Sequence, residues 1–199
     1  MRIAIVNGKG GSGKTTLSFL LAAALAEAGH AVGVEDTDEQ RSASRWLAEA
    51  KCSELLVESN NSSRFGTVIV DTPPRLASER VTRAIRESSI ILVVTSPSPG
   101  DLYTSRDTVE VLKREGCDRK ARLVFNQVQT RTLLARELDE LALRIGLPAL
   151  SNRIHRRQCY QHLILGGWRM LPTEARDEIF KVALEVLALP RYDSMTVGS

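Results

Sequence analysis

Gly8-Lys9-Gly10-Gly11-Ser12-Gly13-Lys14-Thr15 is the stretch from which the rest of this chain can be read. It satisfies GxxxxGK[ST] and stands between a short β-branched run, residues 3–6, and a leucine- and alanine-rich segment, residues 14–28. A glycine-rich turn between strand and helix can wrap closely round phosphate oxygens. It aims backbone N–H groups at them from the positive end of the helix dipole. Lysine at the position of Lys14 supplies charge for β- and γ-phosphates, and the hydroxyl of Thr15 supplies a hard ligand for Mg²⁺. Motif and context agree, so Gly8, Lys9, Gly10, Gly11, Ser12, Gly13, Lys14, Thr15 and the following Thr16 form the expected nucleotide cradle.

Working outward, apolar β-branched runs recur at 3–6, 31–34, 67–70, 90–94 and 123–125. None alternates with polar residues, as expected of strands buried on both faces. Helical patterns fall between and after them at 14–28, 43–50, 78–87, 101–114 and 132–145, the first closed by Gly29 and the last by Gly146. Strand and helix alternate, which gives an α/β class: a doubly wound, mainly parallel sheet flanked by helices. Pro172-Thr173-Glu174 opens a last helix running to about Leu189, with Thr173 as the expected N-cap and Glu174 and Asp177 in its first turn. Residues 52–63 read as a polar loop and 191–199 as a disordered tail, leaving one domain over 1–190.

The bulk composition narrows the function classes. A chain of 199 residues with 43% hydrophobic and 26% charged residues fits one ordinary globular core. No run approaches the ~20 apolar residues of a membrane span. The first strand begins at once, without room for a signal peptide, so a cytoplasmic protein is expected. Cys52, Cys117 and Cys159 are far apart and form no CxxC pair, which argues against a zinc site or a disulfide framework.

In such a sheet, ligands gather at the carboxyl ends of the strands, so acids there are informative. Residues 32–34 lead into Glu35-Asp36-Thr37-Asp38-Glu39-Gln40, and residues 68–70 into Asp71-Thr72-Pro73-Pro74. A carboxylate beside the γ-phosphate can hold a metal or accept a hydrogen bond from the attacking water.

Lys9 is a second lysine inside the loop, and a bare phosphate-binding loop does not require it. With it, KGGSGKTT resembles the deviant Walker A motif of the ParA/MinD family of ATPases, closest to small ParA/ParF-type partition proteins. Thr95-Ser96-Pro97-Ser98-Pro99 and residues 158–167 are similar to the same group, so the resemblance covers nearly the whole chain. It implies a SIMIBI/ParA-like P-loop fold, with ATP/ADP and Mg²⁺ as cofactors. It implies that Lys9 reaches across an ATP-sandwich homodimer to the partner's phosphates, making Lys9, Lys14 and Asp38 the catalytic set. By the same match Asp71 is the Walker B acid, Asp36 supports the metal site and Asp38 activates the water, so Thr15, Asp36 and Asp71 are the metal residues. Glu39 stands where the family usually has proline, so a stiff turn is lost. Asn126 matches an adenine-contacting asparagine, though a satisfied turn residue fits as well. No NKxD motif is present, which favours ATP over GTP.

Net charge is only +3, yet residues 141–173 contain no Asp or Glu. Arg153, Arg156 and Arg157 in that stretch are the first choices for the non-specific DNA surface that the resemblance implies. Nucleotide, partner subunit and solvent are their alternative neighbours. The implied cycle joins an ATP-closed dimer on the nucleoid, with higher assemblies left open, to a small ParB/ParG-like adaptor that stimulates hydrolysis. The cargo is plasmid or chromosomal DNA or another large body. Two other classes compete: a MinD-like membrane-associated switch, and a P-loop metabolic enzyme. The first needs a basic amphipathic C-terminal helix, and the apolar residues between 177 and 189 read as a core helix instead, so no membrane partner is expected. The second generally needs a lid and an acceptor pocket, for which residues 40–67 offer little.

Overall fold

The computed structural model describes residues 1–58, 62–132 and 136–192. Among them five strands, β1 (Arg2–Val6), β2 (Val32–Asp36), β3 (Thr67–Asp71), β4 (Ile90–Thr95) and β5 (Ala121–Phe125), form one sheet in the order β2-β3-β1-β4-β5. Every pairing is parallel. The flanking helices are α1 (Lys14–Glu27), α2 (Ser42–Glu49), α3 (Glu79–Glu87), α4 (Pro99–Arg114) and α5 (Leu138–Ile145). The short α6 (Gln158–Gln161) and α7 (Leu163–Gly166) follow, and then the long α8 (Thr173–Ala188).

The two-residue period of a strand divides the core. Ile3 and Ile5 of β1 enter a cluster with α1 and α8, whereas Ala4 and Val6 face the opposite way, toward α3, α4 and α5. Both faces are therefore apolar, which is why these strands read as unbroken hydrophobic runs. α1 is apolar on nearly all sides, with Leu17 to Leu25 buried, because α8 covers the flank that the sheet does not. Strand order reverses at β1, so the loop that follows β1 leaves the sheet at the crevice where doubly wound folds bind ligands.

Boundaries differ from the sequence reading in a few places. Thr173 is the first residue of α8 rather than its cap. Extended Pro172 takes the cap position, and its carbonyl accepts bonds from the N–H groups of Ala175 and Arg176. β2 runs two residues further than its apolar part, so Glu35 and Asp36 belong to the strand. The pattern over 132–145 is helical from Leu138 to Ile145, with Thr132 in a turn and 133–135 outside the described residues. Within 52–63 the chain makes single 3-10 turns at Ser53–Leu55 and Ser62–Arg64, and Leu56 bridges to Val34. Residues 59–61 and the expected tail from 193 onward lie outside the described residues.

The closure of the core by α8 gives a direct test. Ile179 is fully buried between α8 and the cluster containing α1. Ile179→Ala is expected to lower unfolding free energy by about 2–5 kcal/mol in urea titrations followed by circular dichroism. A loss under about 1 kcal/mol would mean that α8 does not close this core.

Candidate nucleotide site

The loop between β1 and α1 is fixed from several sides. Asn7, fully buried, donates its Nδ2 to Val94 O at 2.6 Å and accepts Lys9 N on Oδ1 at 2.8 Å. Gly8 N donates to Thr108 Oγ1 at 3.3 Å. Gly13 takes φ 96°, and a Cβ there would lie 2.1 Å from Asn126 Nδ2, so position 13 admits only glycine on both conformational and steric grounds. Lys14 is buried with its Nζ on Lys9 O at 3.0 Å. Burial holds the Lys14 pKa below its ordinary value, although Asp71 and Asp38 pull it the other way. The site thus carries a desolvated cation whose charge a polyphosphate would complete.

The acids come together through the sheet register, which sets Asp36 of β2 opposite Asp71 of β3. Thr15 Oγ1 donates to Asp71 Oδ2 at 2.8 Å and Ser18 Oγ to Asp71 Oδ1 at 3.0 Å. Burial pushes the Asp71 carboxyl up to about 6 in spite of those two hydroxyls; Asp36 adds to the rise and Lys14 opposes it. A deeply desolvated carboxylate next to a threonine hydroxyl fits a hard divalent cation, so Thr15 and Asp71 would hold Mg²⁺. When bound, that ion would neutralise charge on the transferring phosphates.

Asp36 does something different. Its Oδ2 accepts both Ser44 N and Ser44 Oγ at 2.8 Å, and its Oδ1 accepts Asp38 N at 3.1 Å. It ties the loop after β2 to the first turn of α2. Thr37 donates N–H and Oγ1 to Asp71 O at 3.0 and 2.7 Å, which brings that loop against β3. Asp38 Oδ1 accepts Gln40 N at 3.0 Å. Where the family's proline would stiffen the turn, Arg80 of α3 donates to Thr37 O at 3.3 Å and pairs with Glu39 at 3.5 Å. Both partners of that pair are exposed, so it restrains the loop weakly.

Asn126 lies at the end of β5, beside the loop. It is buried, gives its Nδ2 to Ser12 O at 3.1 Å and accepts Gln127 N on Oδ1, so in this conformation its amide braces the phosphate loop. Lys9 forms an ion pair with Asp101 of α4. Arg153, Arg156 and Arg157 are not part of this cluster. They flank His155, which bridges to Val128 beyond the end of β5. Arg153 pairs with Asp139 at 3.1 Å, and Arg157 with Glu178 at 3.0 Å, where His155 and Tyr160 also converge. Arg156 alone of the three is exposed and makes no ion pair among the described residues.

Several working residues escaped the sequence reading. Ser18 sits one turn after Lys14 and so shares its helix face, a spacing that pointed to it. Asn7 was a polar residue ending an apolar strand. Asp101 and Arg80 gave no local signal, because each acts on a loop distant in sequence.

A scan of family profiles matches residues 3–165 to the CobQ/CobB/MinD/ParA nucleotide binding domain. The "Maintenance of carboxysome distribution protein A" of Halothiobacillus neapolitanus is 30% identical over 207 aligned residues, covering 93% of this chain and 95% of that protein. Protein virC1 of Rhizobium rhizogenes is 27% identical, with 90% of each chain covered. Among solved structures, the MinD cell division protein of Aquifex aeolicus superposes with a TM-score of 0.75 at 18% identity, covering 95% of this chain and 98% of that one. An ATP complex of a Cyanothece McdA variant gives 0.74 at 15% identity, covering 96% and 98%.

The buried acid yields a pH test. Because the folded carboxyl of Asp71 titrates near 6, above its ordinary value of 3.8, its charging costs stability fully above pH about 6, and the cost is relieved as pH falls toward 4. Asp71→Asn is expected to raise the stability of the nucleotide-free protein at pH 7.5 by on the order of 1–3 kcal/mol, with the gain shrinking toward zero near pH 4.5. Chemical denaturation at the two pH values measures it. A variant less stable at pH 7.5 would contradict the assignment of a desolvated charge.

Proposed function

The chain belongs to the CobQ/CobB/MinD/ParA nucleotide-binding family, and from that premise we propose that it is a ParA-type positioning ATPase. It is a P-loop ATPase that uses ATP and Mg²⁺. In the proposed cycle ATP closes a sandwich dimer, the dimer holds DNA without sequence preference, and a small adaptor on a large cargo triggers hydrolysis and release. The observation that supports this most is the different use of the two loop lysines. Lys14 is buried and turned into its own loop, whereas the ammonium of Lys9 is half exposed at the rim and paired with Asp101. A cation so placed is useful when a second subunit faces it.

The geometry supports a division of labour. The loop amides and Lys14 bind the phosphates, while Thr15 and Asp71 orient them. Burial holds the Lys14 pKa down, and Asp71 and then Asp38 oppose it, so the Asp38 carboxylate acts on the lysine at the phosphate end of the site. There it accepts a hydrogen bond from the attacking water. Base recognition by Asn126 requires its amide to turn away from Ser12. For DNA, Arg156 is the one of the three chosen arginines left without an ion pair among the described residues, and dimerisation doubles it. A relative named for carboxysome distribution and others named ParA and virC1 support a large cargo as a class. Membrane association has little support, because Ile179, Val182, Ala183 and Val186 of α8 are buried in the core. No helix among the described residues is long and apolar enough to cross a membrane.

Light scattering coupled to size exclusion tests the reading. Asp38→Ala should bind ATP yet hydrolyse it at least ~100-fold more slowly, and so accumulate as a dimer; Lys14→Ala should lose nucleotide binding. The same monomer in ADP and ATP would overturn the proposal. DNA retention should require ATP, weaken steeply between about 50 and 200 mM salt, and fall for Arg156→Glu. Equal retention in ADP and ATP would remove the switch.

A further inference from the structure

Asp101 occupies the first turn of α4, where its N–H donates to Oγ of the capping Ser98, and Ser96 Oγ donates to its Oδ2. The side chain is only 6% exposed. Its second oxygen, Oδ1, is closed off from solvent and has the Lys9 ammonium as its charge partner. Lys9 is 45% exposed, so the contact lies at the rim of the loop, with the acid on the inner side and the cation on the outer. A carboxylate in this position resists losing its cation, because separation would leave a poorly solvated charge. Separation is nonetheless reversible: the serine hydroxyl and the positive end of α4 still favour the anion after the lysine leaves.

We propose that Asp101 is a positioning residue that holds Lys9 within its own subunit, so that the lysine crosses to a partner only when the partner's γ-phosphate outcompetes this carboxylate. The proposal rests on the ATP-sandwich reading above and adds to it a reason for nucleotide selectivity. ADP lacks the terminal phosphate, so it leaves Lys9 with Asp101 and the subunits apart. ATP supplies a stronger acceptor at the place where the half-exposed ammonium of the phosphate loop can reach across. The dimer's affinity is then a difference between two anions competing for one ammonium, and weakening the internal competitor tightens the dimer.

The experiment compares dimer dissociation constants by sedimentation in saturating non-hydrolysable ATP analogue, with thermal melts to report folding. Asp101→Asn keeps the shape and removes the competing charge; it should tighten the dimer about tenfold. Ser96→Ala removes a donor from Oδ2, leaves the carboxylate more dependent on Lys9, and should shift the dimer in the opposite direction. In a Lys9→Gln background Asp101→Asn should no longer tighten the dimer, whereas a purely structural role for Asp101 would act there as well. An Asp101→Asn protein that melts like the parent but dimerises equally or less well overturns the proposal. If that variant does not fold, Ser96→Ala decides, and a tighter or unchanged dimer overturns it. A wild-type chain that stays monomeric in the analogue refutes the sandwich reading itself, before any variant is compared.

Discussion

Charge held in a dry place is the constraint on which this molecule depends. A parallel sheet covered on both faces leaves its carboxyl edge as the one rim where polar groups from several strands can meet. There the register of β2 and β3 brings Asp36 beside Asp71, while the turn into α1 places Lys14 among the same groups. Burial disfavours the charge on both Lys14 and Asp71. The site is therefore under-compensated as it stands, and a polyphosphate with a divalent cation supplies the charges that it lacks. Nucleotide affinity and the cost of burying these groups are two sides of one balance.

The same groups reach outward through hydrogen bonds. Asp36 joins the loop after β2 to α2, and Thr37 joins it to the backbone of β3. Arg80 connects that loop to α3, and Asn7 and Thr108 connect the phosphate loop to β4 and α4. The phosphate loop and the loop after β2 are thus joined to three helices through polar links. The links of Asn7 and Thr108 are buried, whereas those of Asp36, Thr37 and Arg80 lie nearer the surface.

Much of this was legible beforehand. The loop string, the unbroken strand runs and the acids that follow 32–34 and 68–70 placed the fold and the heart of the site, because each rests on local sequence chemistry. What was not legible depends on contacts between distant segments. Asp101 merely opened the helical pattern 101–114, and only the fold brings it to Lys9. Arg153 and Arg157 looked available because their stretch lacks acids, but Asp139 and Glu178 approach from α5 and α8. Asn126 was placed correctly at the rim, yet its amide faces Ser12, an orientation that no spacing rule encodes. Thr173 lost its expected capping role to Pro172 because the extended backbone before a helix, not the residue type alone, decides the cap.

The central claim is that ATP joins two copies of this chain by drawing Lys9 of each toward the nucleotide of the other. A crystal structure with a non-hydrolysable ATP analogue and Mg²⁺ measures it most directly. The account predicts two subunits face to face, with each Lys9 ammonium on the opposite γ-phosphate and each Asp101 released from its ion pair. A filled site in a lone subunit, with Lys9 still against Asp101 or turned to solvent, would contradict it.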